Sequence, residues 1–243
     1  MNTNSNVYTV IYTTLICVIV AAVLAFASQS LKPKQQANEK AETIRQILTA
    51  AQFEFDASSN DAILGFYKEN IAESILVDAE GNTVGKLNTA DAQIYGVSDL
   101  KAQNYNIKGA TDYTLPVYIF KNGTTVLPVY GAGLWGPVWG YIALDSTCTN
   151  IAGAYFDHES ETPGLGGKIK DDPDFRAQFA GKTVDTAAEV PFRIVKGGAP
   201  EGQTNAIDAI SGATMTSKGL DEAINIWLKA YAKYAAGTKT TEE

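Results

Sequence analysis

Hydrophobic side chains first gather in one unbroken run. Residues 7–27 read VYTVIYTTLICVIVAAVLAFA, and no Asp, Glu, Lys, Arg or His occurs between Met1 and Leu31. About 20 apolar residues cross a bilayer core, so the run predicts a single membrane helix. A cleaved signal carries basic residues ahead of a shorter apolar core, and this run has neither mark. Cys17 lacks the small preceding residue of a lipoprotein cleavage site and reads as a lipid-facing or packing residue. Ile44, Ile47, Leu48 and Ala51 then recur at helical spacing, which predicts a helical stalk over 32–52. A short helix is expected over 61–70. Two hairpins follow, SILVDAEGNTVGKL turning at Glu80-Gly81-Asn82 and TLPVYIFKNGTTVLPVY turning at Asn122-Gly123. Residues 138–144, 151–156 and 192–195 read as strands and 173–179 as a helix. Over 217–236, Leu220, Ile224, Trp227, Leu228 and Tyr231 line one face of an amphipathic helix. The tail GTKTTEE, 237–243, is expected to be disordered. The fold class is α+β: a transmembrane anchor (1–31), a stalk (32–52) and a mixed, largely antiparallel domain over 53–236.

Composition narrows the function. A chain of 243 residues can bury a core in one or two domains. Its formal net charge of −8 argues against nucleic acid as the main partner. The two cysteines, Cys17 and Cys148, and the lone His158 form no metal-ligand cluster in sequence. Iron–sulfur, haem and zinc sites built by this chain alone are therefore not expected. Lys32 and Lys34 follow the apolar run, and by the positive-inside rule they would hold that end in the cytoplasm.

The most informative stretch is DAISGATMTSKGLDEA, residues 208–223. Thr216 or Ser217 can cap the last helix, with Asp221 and Glu222 in its first turn. That accounts for the later hydroxyls but not for Ser211-Gly212-Ala213-Thr214 ahead of them. Small residues there let backbone amides approach an anion, and a helix start adds unpaired N–H groups and a positive dipole end. The residues alone thus leave two readings open: a phosphate-bearing cofactor, or a membrane-tethered module holding another anion or none.

Asp208-x-x-Ser211-Gly212-Ala213-Thr214 resembles the flavinylation signature D-x-x-[ST]-G-A-T of the FMN-binding domain family. In that family a flavin transferase joins the phosphate of FMN to the final threonine, which implies Thr214. GAGLWGPVWGYIAL (131–144), HESETPGLGGKI (158–169) and the single amino-terminal helix followed by Lys-Pro are similar to the NqrC family, components of sodium-translocating NADH:quinone oxidoreductases. The RnfG family of Rnf electron-transport complexes shares the flavin motif and is the alternative; the GLWGPVWGY block favours the quinone reductase.

The resemblance implies covalent FMN on Thr214, with Asp208 as a recognition or orienting residue for the transferase. Ser211, Gly212 and Ala213 would shape the phosphate loop, and Thr216 and Lys218 would add donors. Glu161, Thr162, Leu165 and Gly166 would lie near the ring, with Trp135 at the pocket entrance and Trp139 in the core. His158 and Cys148 are assigned no redox role, and no catalytic residue or metal ligand is assigned. The implied partners are the other subunits of the complex and the membrane. The chain would pass electrons between them toward ubiquinone, coupled to sodium export. It has no Gly-x-Gly-x-x-Gly after a strand, so it is not expected to oxidise NADH itself. The resemblance places the domain in the periplasm, at the bacterial inner membrane, against the Lys32/Lys34 reading.

Overall fold

The computed structural model describes residues 6–239. Helix α1 (Asn6–Ala50) is continuous, with Pro33 inside it, so the Lys-Pro pair does not end the helix. The chain divides into two units, Met1–Lys40 and Ala41–Glu243. The first contains the amino-terminal part of α1, long and apolar enough to cross a membrane by length and composition. Its Val, Ile, Leu and Phe side chains are exposed, the arrangement a lipid-facing helix requires.

The second unit begins inside the segment expected to be stalk. Ala41, Ile44, Ile47, Leu48 and Ala50 are buried, so the last ten residues of α1 are a core element of the domain. The periodicity at 44, 47 and 48 is the face packed against that core.

Helix α2 (Asn60–Asn70) starts at Ser59, whose Oγ accepts from Ala62 N at 3.2 Å. Six strands follow as one antiparallel sheet: β1 (Ile71–Val77), β2 (Thr83–Lys86), β3 (Leu115–Phe120), β4 (Thr125–Ala132), β5 (Pro137–Leu144) and β6 (Ile151–His158). Their order is β2-β1-β3-β4-β5-β6. The two hairpins turn where expected, and Gly81 and Gly123 supply the positive φ of +80° and +86°. Two core clusters take alternate residues of the central strands. Leu127, Val129, Val138 and Ile142 enter one, while Val126, Tyr141 and Ala143 enter the other with Ile44, Ile47 and Leu48 of α1. The sheet is thus buried on both faces.

Helix α3 (Val97–Lys108) interrupts the sheet between β2 and β3 and was not expected, because its sparse apolar residues leave Leu100 as its only buried one. The short helices α4 (Lys168–Asp171) and α5 (Pro173–Ala177) follow β6. Strands β7 (Arg193–Val195) and β8 (Ala206–Asp208) pair in parallel as a separate ribbon. Helix α6 (Thr214–Ala230) buries Leu220, Ile224, Trp227 and Leu228, each worth about 1.5–3 kcal/mol of apolar burial. Helix α7 (Ala232–Lys239) closes the described chain, so the tail expected to be disordered from 237 is helical as far as Lys239. Residues 240–243 lie outside the described residues.

Helix α6 lies directly against β4 because both present glycine. A Cβ on Gly131 would stand 2.5 Å from Ala223 Cβ, and one on Gly219 would overlap the Ala132 carbonyl oxygen. Overpacking of this kind costs about 1–3 kcal/mol. Gly219→Ala is therefore expected to destabilise the protein by that amount, read as a lower urea midpoint followed by tryptophan fluorescence.

Acid sensitivity has a local source in the β5–β6 loop. Partial burial pushes Asp145 up, but hydrogen bonds outweigh it, chiefly from Thr149 N at 2.8 Å and Asn150 Nδ2 at 2.6 Å, and hold the carboxyl below the usual range. A depressed folded value means the folded state binds fewer protons, so this stabilisation is full above the ordinary carboxylate value. It is lost as pH falls through the folded value. Melting temperature is expected to drop with pH in that window, and Asp145→Asn to flatten the drop.

Candidate functional site

Three loops meet where α6 begins. The first is the β4–β5 turn, closed by Gly133 N donating to Gly136 O at 2.7 Å, which carries Leu134 and Trp135 outward. The second follows β6 and contains Ser160 to Gly167, in which Leu165 N and Gly167 N both donate to Thr162 O at 3.1 and 2.9 Å. The third links β8 to α6 and contains Ser211-Gly212-Ala213.

One carboxylate ties them together. Glu161 is 4% exposed; its Oε1 accepts from Trp135 N at 2.8 Å and its Oε2 from Thr216 Oγ1 at 2.5 Å. Its own N–H donates to His158 Nδ1 at 3.1 Å. A Cβ on Gly133 or on Gly166 would overlap the carboxylate, so these glycines make its space. Ser160 Oγ donates to Trp135 O at 2.9 Å, which holds the turn at a second point.

The start of α6 differs from the expected cap. The helix begins at Thr214, and its N-cap Ala213 makes no side-chain capping bond. Ser217 Oγ instead accepts from Ile210 N at 3.1 Å, and the Thr216 hydroxyl goes to Glu161, so both hydroxyls serve tertiary contacts. Asp221 lies deeper in the helix and accepts from Ile194 N at 2.6 Å. The first helical bond is Ser217 N to Ala213 O, 2.9 Å, so the amides of residues 214–216 precede the intrahelical ladder. Thr214 and Ser211 are exposed. Gly212 has φ +80°, and a Cβ there would stand 3.1 Å from Leu165 Cδ2, so Leu165 lies over the bend.

The structure thus brings together Trp135, Glu161, Leu165, Gly166, Gly212 and Thr216, with Thr214 two residues ahead of the Glu161–Thr216 bond. Asp208 is engaged elsewhere: Oδ1 accepts from Ala199 N at 2.7 Å, and its N–H goes to Gln178 Oε1 at 2.9 Å. Lys218 is exposed and 3.7 Å from Glu222. Thr216, expected as a phosphate donor, is 1% exposed with its hydroxyl committed to Glu161. Trp139 is core-facing, as expected, with Nε1 donating to Gln46 Oε1 at 3.3 Å.

Sequence reasoning missed Ser160 and Gly133 as supports, because the residues they meet, Trp135 and Glu161, lie far along the chain. It also missed the apolar rim of Leu134 and Met215. Trp135 is 66% exposed, Met215 55% and Leu165 44%, and all lie on these loops or the first turn of α6. Among the described residues of the domain, few other large hydrophobic side chains are so bare.

Residues 133–229, from the β4–β5 turn to the end of α6, match the FMN-binding domain family. Over the longer chain, the similarity is to NqrC of Na(+)-translocating NADH-quinone reductases. The Pseudomonas aeruginosa protein is 30% identical, with 93% of each chain covered. The crystal structure of its counterpart from Parabacteroides distasonis superposes with a TM-score of 0.70 at 35% identity, covering 84% of this chain and 96% of that one. Shewanella oneidensis NqrC, 24% identical, shares the fold with a TM-score of 0.67 over 84% of this chain and 99% of its own. The chain belongs to the NqrC family of Na(+)-translocating NADH-quinone reductases.

Because Thr214 is exposed at a helix start, Thr214→Ala is expected to leave the fold intact. A stability change within about 0.5 kcal/mol, as for ordinary surface substitutions, is expected in thermal unfolding.

Proposed function

We propose that this chain is the FMN-carrying, electron-relaying member of a Na(+)-translocating NADH-quinone reductase, with the flavin joined by a phosphoester to Thr214 Oγ1. The observation that carries this reading is the position of Thr214. Its exposed side chain stands on the open first turn of α6, directly after the Ser211-Gly212-Ala213 bend.

The residues fit such a group. The first-turn amides of 214–216 and the dipole of a 17-residue helix offer donors and positive potential to a phosphate. Trp135, Leu165 and Met215 offer bare apolar surface to a flat ring system. When bound, FMN supplies one- and two-electron chemistry that no side chain provides. The protein's part is to hold and orient it. Gly212 keeps the bend clear of side-chain bulk, and Leu165 shields it from one side. Glu161 keeps the Trp135 turn and the α6 start in register.

A phosphoester made from a phosphate monoester would have to expel water. The attachment therefore calls for a flavin transferase and an activated flavin nucleotide. In such a transfer Thr214 Oγ1 would take the flavin phosphate, displacing the remaining nucleotide as leaving group, and its hydroxyl proton would pass to base or solvent. Asp208, exposed at the end of β8, is a recognition point for that enzyme. The tether keeps the cofactor at the site whatever its free concentration.

The apolar segment of α1 anchors the domain to the bacterial inner membrane beside the rest of the complex, with the domain in the periplasm. Electrons enter from one redox partner and leave to another, toward ubiquinone, in a complex whose cycle exports sodium. Family membership supports this assignment over RnfG.

The test is a denaturing gel of the full-length chain coexpressed with a flavin transferase. Flavin fluorescence is expected to survive denaturation and to vanish in Thr214→Ala. The peptide spanning residue 214 is expected to gain the mass of FMN less one water. A bare peptide made with an active transferase overturns the reading.

A further inference from the structure

We infer that Glu161 is a positioning residue for the flavin, acting through Trp135 and Thr216 rather than by touching the ring. This rests on the flavin reading above and deepens it. Both carboxylate oxygens already hold a donor inside the protein, Trp135 N at 2.8 Å and Thr216 Oγ1 at 2.5 Å. The side chain is almost fully buried, and the space around it is closed by Gly133 and Gly166, where even a Cβ would overlap it. Its backbone is fixed as well, by the bond from Glu161 N to His158 Nδ1 at 3.1 Å.

The geometry gives this carboxylate a defined task. Thr216 lies two residues after the attachment point, on the first turn of α6. Trp135 is gripped at its N–H by Glu161 and at its carbonyl by Ser160 Oγ, 2.9 Å away, yet its indole is bare. Glu161 therefore sets the place of the tether relative to the exposed Trp135 and Leu165 surface. A tether alone fixes one end of a cofactor; the orientation of the other end depends on how rigidly that surface is placed. A buried carboxylate with all its donors in place is rigid, because losing one donor leaves charge unpaired.

The test uses the full-length flavinylated chain and compares Thr216→Val, which keeps the shape but loses the hydroxyl, with Thr216→Ser, which keeps the hydroxyl. Glu161→Ala is the companion. All three are expected to show wild-type flavin fluorescence on the denaturing gel, since Thr214 is intact. In the native protein, Thr216→Val and Glu161→Ala are expected to lose the visible circular dichroism of the bound flavin. Its fluorescence anisotropy should fall and its midpoint potential should shift, while Thr216→Ser restores all three. Wild-type values in Thr216→Val, or Thr216→Ser behaving like Thr216→Val, overturn the inference. So does a Thr216→Val protein that no longer melts cooperatively, which would make the bond purely structural. A non-fluorescent wild-type band removes the flavin reading, and this inference with it. A fluorescent wild type with unchanged variants removes this inference alone.

Discussion

The contact on which this domain depends is the close approach of α6 to β4. Side chains normally hold packed layers about 10 Å apart; here Gly131 and Gly219 remove them at the contact point. The helix can then press its apolar face into the core, where Trp227 is fully buried and still donates Nε1–H to Asn104 Oδ1 at 3.1 Å. Just beyond α6, the Tyr231 hydroxyl donates to the Pro116 carbonyl at 2.8 Å. Because β4 runs directly into the turn bearing Trp135, the same contact brings the first turn of α6 beside that turn. Fold and site are therefore consequences of one packing arrangement.

Polar groups finish what the glycines begin. The end of β6 and the loop after it carry two buried carboxylates, Asp157 and Glu161. Asp157 accepts from Gln46 Nε2 of α1 at 2.8 Å, from its neighbour His158 N at 2.8 Å and from Lys170, whose Nζ lies 2.9 Å from Oδ1. Glu161 takes Trp135 and Thr216. A buried charge persists only where donors replace its water, and each of these has them. The two are joined through His158, whose N–H meets Asp157 and whose Nδ1 meets Glu161 N. Residues 41–50 of α1, the sheet and the start of α6 are thereby braced as one rigid frame. The exposed apolar side chains of the site stand on it.

That division of labour suits an electron carrier. The frame is closed, buried and hydrogen-bonded, while the surface it presents is bare: an open helix start, a glycine bend and a rim of Trp135, Leu165 and Met215. A redox cofactor needs a fixed position and an accessible edge, and this arrangement suits both.

The local elements were legible in the chain because short-range physics sets them. The uncharged run, the Asn122-Gly123 turn, the apolar run of β5 and the apolar stripe of α6 each declare themselves within a few residues. The Asp208-x-x-Ser211-Gly212-Ala213-Thr214 stretch was equally local, since its residues are consecutive in the chain. Helix α3 was not legible, because its buried face is almost a single leucine. The true start of the domain at Ala41 was hidden because a membrane helix and a core helix share one uninterrupted spiral. The Thr216 hydroxyl read as a cap or phosphate donor, and only the tertiary structure decided otherwise. Its partner Glu161 lies 55 positions away, and nothing in local spacing records which distant carboxylate a hydroxyl will meet.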